Sequence, residues 1–472
     1  MTYDLKALDA ALSKRIQQKK LPGVTVSMRG PEGVIFEKGY GVADEKGRPV
    51  NEHTVMGIAS MSKSTVTLAL CILASEGKCS FSDPIIKYFP QFSLKGTPKQ
   101  AITLHHIATH TAGIPPMEPL EWSIAMNTPK RKVTDWSRYM FKTAPNKMET
   151  IEQVIDYIAN SGYPTLGEPG QYMSYSNEGY AVLCYVVDQV AGVTLEQFLT
   201  DRVFGPMGMT RTVLDYDCSE AMKIASDGNI TRLWERDDDG NFECDDAWGI
   251  LPPFRSCACV KSTAHDMARY YQCISNHGVL DGKQVIPAAA ADMMVGSAFE
   301  LNEKPTYCYG LNQRLWYGHT VCEHSGGLHG VSTHGGLLLG ENYGFSALCN
   351  EGGQDTDDLL HMMVNAVIGR PIEEEHVWLH PTGEAFLEPE MLIGTYICHE
   401  GITVDAKVFQ NEAGELMVER ETGVFKLVHC GETWFQLVDK DGALAGRMHF
   451  WVKDGKAWGV QVYTRIYLRV EE

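Results

Sequence analysis

Strand-like patterning occurs twice in the first part of this chain, at 24–40 and again at 315–350, with helical periodicity filling the long stretch between. Any sheet must therefore be assembled from two distant segments. Ahead of the first strands, Leu5, Leu8, Leu12 and Ile16 fall on one helical face at three- and four-residue spacing, and Pro22-Gly23 ends that helix. Strands at 24–28 and 34–40 follow, joined by a turn at Pro31-Glu32-Gly33. Helix, hairpin, helix is not the alternation of a parallel sheet. It predicts an α+β fold, an antiparallel sheet flanked by helices. The segment 62–76 reads as a buried helix, and further helices are predicted at 104–110, 151–161, 178–190, 195–203 and 264–276. Strands return at 315–317, 335–339 and 344–350, and a helix at 357–367 closes the unit.

Around Gly369-Arg370-Pro371 the character changes. Residues 371–388, opening with Pro371-Ile372-Glu373-Glu374-Glu375, read as a linker between a first domain, 1–370, and a second, 389–472. The second shows short alternating strands separated by the turn signals Asn411-Glu412-Ala413-Gly414, Asp439-Lys440-Asp441-Gly442 and Lys453-Asp454-Gly455. Such spacing predicts a small β-barrel or sandwich. A chain of 472 residues can bury a large core and still carry this extra domain.

A net charge of -19, with no basic stripe to offset it, argues against nucleic acid or an anionic membrane as partner. The 13 cysteines are scattered, and Cys257-Ala258-Cys259 is the only close pair, so neither a disulfide framework nor a zinc pattern is present. The N-terminus shows no basic segment followed by an apolar one, and no run approaches the ~20 apolar residues of a membrane span. These features predict a reduced, cytoplasmic protein without metal or other cofactor. A homo-oligomer is compatible with them.

Three short segments carry chemistry. Ser60-Met61-Ser62-Lys63 follows Gly57-Ile58-Ala59 and opens the apolar helix at 62–76, which sets Lys63 one turn beyond Ser60 on the same face. A serine hydroxyl needs a neighbour to take its proton, and a desolvated lysine can do so. The free N–H groups at a helix start also face developing negative charge. Alone, Ser-x-x-Lys equally describes a capped helix with an exposed lysine. Tyr175-Ser176-Asn177 precedes the helix at 178–190; Tyr175 can act as a base beside a cation, and Asn177 offers an amide to a substrate carbonyl and to Lys63. Alone, this segment is an N-cap with a packing tyrosine. In His324-Ser325-Gly326-Gly327 the glycines allow a substrate close to a strand backbone, and the N–H of Gly327 can complete an oxyanion hole with that of Ser60. His324, His329 and His334 recur every five residues; on one strand that spacing alternates faces, so they do not converge on a metal.

In this order the three segments resemble the signatures of the serine β-lactamase-related superfamily, in the branch of class C β-lactamases, D-Ala-D-Ala carboxypeptidases, D-aminopeptidases and esterases. Ile102-Thr103-Leu104-His105-His106, Thr109-His110-Thr111-Ala112-Gly113-Ile114-Pro115 and Ser262-Thr263-Ala264-His265-Asp266-Met267-Ala268-Arg269 support the match, which spans roughly 5–370. The tail resembles the lipocalin-like barrel appended to some of these hydrolases. The resemblance implies a β-lactamase/transpeptidase-like fold and a two-step acyl transfer on a small ester, amide or short peptide. Ser60 would be the nucleophile, with Lys63 and Tyr175 sharing the proton as a coupled pair. Ser60 and Gly327 would form the oxyanion hole, and Asn177, His324, Ser325 and Gly326 would contact substrate. An acyltransferase with a non-water acceptor, and a catalytically silent binding protein, are the competing readings.

β-Lactamases usually carry lysine where His324 stands, to meet the drug's carboxylate. A largely neutral histidine holds a carboxylate less firmly, which argues against a dedicated β-lactamase. A cytoplasmic location would likewise disfavour cell-wall cross-links as substrate. The segment 115–149, carrying Met117, Trp122, Met126, Trp136, Tyr139, Met140 and Phe141, either covers the cleft for an apolar substrate or packs onto the body. The acidic run Glu235-Arg236-Asp237-Asp238-Asp239-Gly240, with Asp245-Asp246, reads as a solvated loop, or less readily as a selector for a substrate amine.

Overall fold

The computed structural model describes residues 3–127, 146–237, 239–296, 298–400 and 405–470. Helix α1 (Leu5–Lys19) leads into the hairpin β1 (Gly23–Gly30) and β2 (Gly33–Gly41). Among the helices that follow are α2 (Lys63–Ser75), α3 (Asn177–Ala191) and α4 (Ala264–Ser275). The chain then returns to strands: β3 (Thr306–Tyr307), β4 (Asn312–Trp316), β5 (His319–Leu328), β6 (Val331–Leu338) and β7 (Tyr343–Cys349), before α5 (Asp357–Ile368). The sheet order is β3-β4-β5-β6-β7-β1-β2, antiparallel throughout, so the distant segments join at β7 and β1. Val24 lies opposite Cys349 and Val26 opposite Ala347.

Both faces of β1 are buried because each is covered by helices. Val24, Val26 and Met28 join α1 and α5 in one apolar cluster, while Arg29 on the opposite face donates its Nε–H to Gln272 of α4 at 2.9 Å. Gly344 lets α4 lie directly on β7, since a Cβ there would stand 2.3 Å from the Ala268 carbonyl oxygen. The larger cluster forms on this second side and surrounds α2, whose residues 63–73 are all buried.

Strands β8 (Gly394–Ile397), β9 (Asp405–Gln410), β10 (Leu416–Arg420), β11 (Gly423–His429), β12 (Trp434–Val438), β13 (Leu444–Lys453), β14 (Lys456–Val462) and β15 (Arg465–Arg469) close into an eight-stranded barrel. The predicted turn signals at 411–414, 439–442 and 453–455 each join neighbouring barrel strands.

Three expectations change in detail. The helix expected at 195–203 is α-helical only over Leu195–Leu199 and continues as a wider π turn, Thr200–Phe204. The helix expected at 104–110 ends at Ala108, because His110 takes a positive φ of 57°. The strand expected to carry Gly326 and Gly327 runs over His319–Leu328 and ends at a bend, so it does not continue to His334.

Candidate active site

Ser60 sits in a short 3-10 turn, Ala59–Ser62, that runs directly into α2. Ala59 holds a left-handed φ of 44°, a strained setting for a residue with a Cβ. The turn is braced by the sheet. Thr333 donates its hydroxyl to the Ile58 carbonyl at 3.1 Å, and Gly326 presses against the same carbonyl, where a Cβ would stand 2.3 Å away. Gly326 thus serves the close approach of β5 to the serine turn. Its neighbour Gly327 is exposed with open space about its Cα.

Ser60 is partly exposed, whereas Lys63 is wholly buried. Lys63 donates from Nζ to Ser60 Oγ at 3.1 Å and to the Cys257 carbonyl at 3.2 Å. Its Nζ also lies 4.7 Å from the centroid of the Tyr175 ring and 5.8 Å from that of Tyr180. Among the described residues no hydrogen bond joins Lys63 to Asn177; the Cys257 carbonyl takes the place expected for that amide. Asn177 is the first residue of α3, which Ser176 caps by accepting from the Gly179 N–H. The Tyr175 hydroxyl is buried without a hydrogen-bond partner, so a substrate or water can supply one.

His324 stands elsewhere than a substrate ligand would. It is buried, and its Nδ1–H donates to the Ser325 carbonyl. Nε2 therefore accepts from the Tyr307 hydroxyl at 3.0 Å. Burial, with the charge of Lys63, pushes its pKa down to about 3, so the ring is neutral under physiological conditions. Both ring nitrogens are thus engaged within the protein, whereas Ser325 beside it is exposed. The regular histidine spacing also has a different origin from the single strand expected. His324 and His334 lie on the two strands of a hairpin and His329 at its bend; His329 meets Glu235 and Asp245 at 3.1 Å, and His334 meets Asp357 at 2.6 Å.

Two contributors were not foreseen. His110 is buried against Tyr175 with ring centroids 4.2 Å apart, and its Nδ1 accepts the Ser176 N–H at 3.0 Å. Burial, reinforced by the charge of Lys63, holds His110 well below the usual imidazole range, which keeps Nδ1 free to accept. The second comes from the barrel. The Thr464 carbonyl accepts the Tyr175 N–H at 2.8 Å, Ser174 Oγ accepts the Ile466 N–H at 3.2 Å, and the Arg465 guanidinium lies 4.4 Å from the Tyr175 ring. Arg465 is anchored on Glu400 at 3.0 Å; burial works against its charge, but Glu400, by charge and hydrogen bond, together with Tyr175 raises its pKa on balance. The ring of Tyr175 thus has one cation from α2 and one from the barrel against it.

These geometries converge with the comparisons. A family model described as Beta-lactamase matches residues 8–367. The chain belongs to the beta-lactamase family. Within it, 198 residues are 24% identical to Penicillin-binding protein 4* of Bacillus subtilis, covering 42% of this chain and 38% of that protein. Another 110 residues are 30% identical to Esterase EstB of Burkholderia gladioli, covering 23% and 28% respectively. The match therefore spans well under half the length of either relative. The structure of the octameric penicillin-binding protein homologue from Pyrococcus abyssi superposes with a TM-score of 0.67 at 21% identity, covering 98% of this chain and 99% of that one. This likeness is one of fold, and it extends through the barrel.

Other expectations around the family's cleft change. Met117 and Trp122 are buried in the core, Trp122 edge-on to Tyr157 at 5.0 Å, so they pack the body. Met126 is exposed, and Trp136, Tyr139, Met140 and Phe141 lie outside the described residues. The acidic run is not a simple solvated loop. It forms a hairpin, Leu233–Arg236 with Phe242–Asp245, whose Glu235 and Asp245 grip His329 and whose Arg236 pairs with buried Glu351. Asp238 lies outside the described residues.

Glu178, beside Asn177, supplies a test of the electrostatics. Burial, with Glu400 nearby, pushes its carboxyl from 4.5 up to about 8. Ser176 donates to one oxygen at 3.1 Å, and the other has no partner. Unfolded, this group ionises near 4.5; folded, it stays protonated to about pH 8, so the folded protein binds the extra proton and loses stability as pH rises through that window. Glu178→Gln keeps the shape and removes the titration. It is expected to melt like the wild type at pH 4.5 and to be more stable by on the order of a few kcal/mol at pH 8. Parallel melting curves across pH would contradict this reading.

Proposed function

We propose that this protein is a serine hydrolase that cleaves an ester or amide bond of a small substrate through an acyl-enzyme on Ser60. The observation that carries this reading is the buried Lys63 ammonium 3.1 Å from the partly exposed Ser60 hydroxyl. A buried lysine with no carboxylate partner is costly to keep, and here its charge is spent on a serine that solvent can reach.

In the forward step, the Lys63–Tyr175 pair holds one proton fewer than an ammonium plus a phenol, and Ser60 Oγ attacks the carbonyl carbon as its proton passes to that pair. The oxygen that gains negative charge sits between the N–H groups of Ser60 and Gly327. Collapse of this tetrahedral adduct expels the alcohol or amine, which takes its proton back from the pair. Water then repeats the sequence on the acyl-serine and frees the acid. Negative charge on the Tyr175 oxygen, present whenever the pair is short of its proton, faces Lys63 and Arg465 together. Asn177 and Ser325 orient the acyl group, while His110 and His324, both neutral, hold Tyr175 and β5 in place.

The likeness to an esterase supports ester substrates. The engaged nitrogens of His324 leave no cation there for a β-lactam carboxylate. A panel of p-nitrophenyl esters, D-amino-acid amides and a chromogenic cephalosporin tests the assignment. Turnover is expected with an ester or an amide and to be poorest with the cephalosporin. Efficient cephalosporin turnover with inert esters and amides would overturn it, and diversion of acyl product by added alcohols would make the protein an acyltransferase.

A further inference from the structure

A polar cavity of about 370 Å³ lies where the body, the linker and the barrel meet. Its walls include Arg314 of β4, His361 of α5, His376 of the linker and Arg447 of β13. Of the carboxylates around its rim, Asp357 is answered by His334, Asp358 by Arg15 and Lys19, Glu373 by Lys14 and Glu374 by Arg370, while the exposed Asp355 and Glu375 form no ion pair among the described residues. Of the cations, Arg15 is spent on Asp358 and His361 on Glu323, Arg314 is answered in part by Glu323, and Arg447 is answered by no carboxylate among the described residues.

Arg314 is 7% exposed and spends one nitrogen on Glu323 at 2.7 Å, yet its Nε–H is buried with no acceptor. The Arg447 guanidinium makes no hydrogen bond or ion pair among the described residues, and its Nε–H is also buried without an acceptor. His376 completes the pattern with a buried Nδ1 that has no partner. Trp316 backs this wall, with the Arg314 guanidinium 4.5 Å from its ring and His376 stacked on it at 4.7 Å. Burial lowers the pKa of Arg447, and the charge of Arg314 lowers it further, as expected for two guanidinium groups near one another. Buried donors without acceptors, on cations that repel one another, are costly unless an anion joins them. Guanidinium forks suit multi-oxygen anions best.

We propose that this cavity binds a small oxyanion, a carboxylate or phosphate compound, held between Arg314 of the body and Arg447 of the barrel. Because the two arginines belong to different domains, the anion would also tie the barrel to the body. No step of the serine chemistry is needed for this site, and its test is independent of that chemistry.

The test uses the full chain, with sodium phosphate in one arm and sodium citrate in the other, each balanced with sodium chloride to constant ionic strength. At least one anion is expected to raise the wild-type melting temperature saturably and to give a matching isotherm by calorimetry; the arm that responds separates phosphate from carboxylate. Arg447→Gln breaks no native hydrogen bond. In chloride alone it is expected to melt no lower than the wild type, while its affinity for the responding anion falls at least ~10-fold. Arg447→Lys, which keeps the charge but loses the fork, is expected to fall between. The absence of a saturable response in both arms, or an equal response in Arg447→Gln, would overturn the proposal. Should Arg447→Gln fold poorly, the wild-type isotherm alone decides.

Discussion

Replacing Lys63 by methionine is expected to lower kcat/KM for an ester by about 10³–10⁴-fold while leaving the protein at least as stable as before. The two halves of this result come from the same geometry. Lys63 is wholly buried, its hydrogen bonds run to Ser60 Oγ and the Cys257 carbonyl, and no ion pair offsets its charge among the described residues. Methionine fills the same channel beside the Tyr175 and Tyr180 rings without the cost of burying an ammonium group. Function is lost and burial becomes cheaper, the trade expected of a residue kept for chemistry. A second readout follows. The charge of Lys63 is one cause of the low His324 pKa of about 3, so the imidazole titration followed by NMR is expected to move upward in the variant. Unaltered activity, or collapse of the fold, would show that Lys63 is a structural cation instead.

The second large effect is expected at Tyr175. Its ring is packed by His110 and faced by Lys63 and Arg465, contacts that phenylalanine keeps in outline. Its hydroxyl is buried and bonds to nothing in the free protein. Tyr175→Phe therefore leaves no partner orphaned, and the melting temperature is expected to hold or rise, since an unsatisfied buried hydroxyl costs roughly 1–3 kcal/mol. If that hydroxyl carries a proton between Ser60 and the leaving group, kcat falls by about 10²–10⁴-fold with little change in KM. A tyrosine present only to pack would leave kcat where it is.

What was legible in the sequence follows the range of the interactions. Ser60 and Lys63 are one helical turn apart, so their meeting is a local consequence of α2, and the apolar run behind them signals its burial. The sheet built from two distant segments was readable from where strand patterning stops and resumes. The setting of His324 was not, because its partner Tyr307 lies on β3 and is brought to it only by the folded sheet. The same holds for His110, which entered only as part of a matching segment. Arg465 was the hardest to see. The turn that presents it, Tyr463-Thr464, carries no glycine, asparagine or aspartate, unlike the three barrel turns that were foreseen. In that turn the Thr464 carbonyl is committed to the Tyr175 N–H, far away in the sequence, a contact that no local pattern encodes. Likewise the acidic run looked solvated because its partner, His329, lies far along the chain.

The most direct measurement is the mass of the intact protein after exposure to a fluorophosphonate, followed by mapping of the modified peptide. A single adduct is expected on Ser60, absent in Ser60→Ala and formed far more slowly in Lys63→Met. Labelling that persists in Ser60→Ala, or an adduct mapped to any other residue, would contradict Ser60 as the nucleophile.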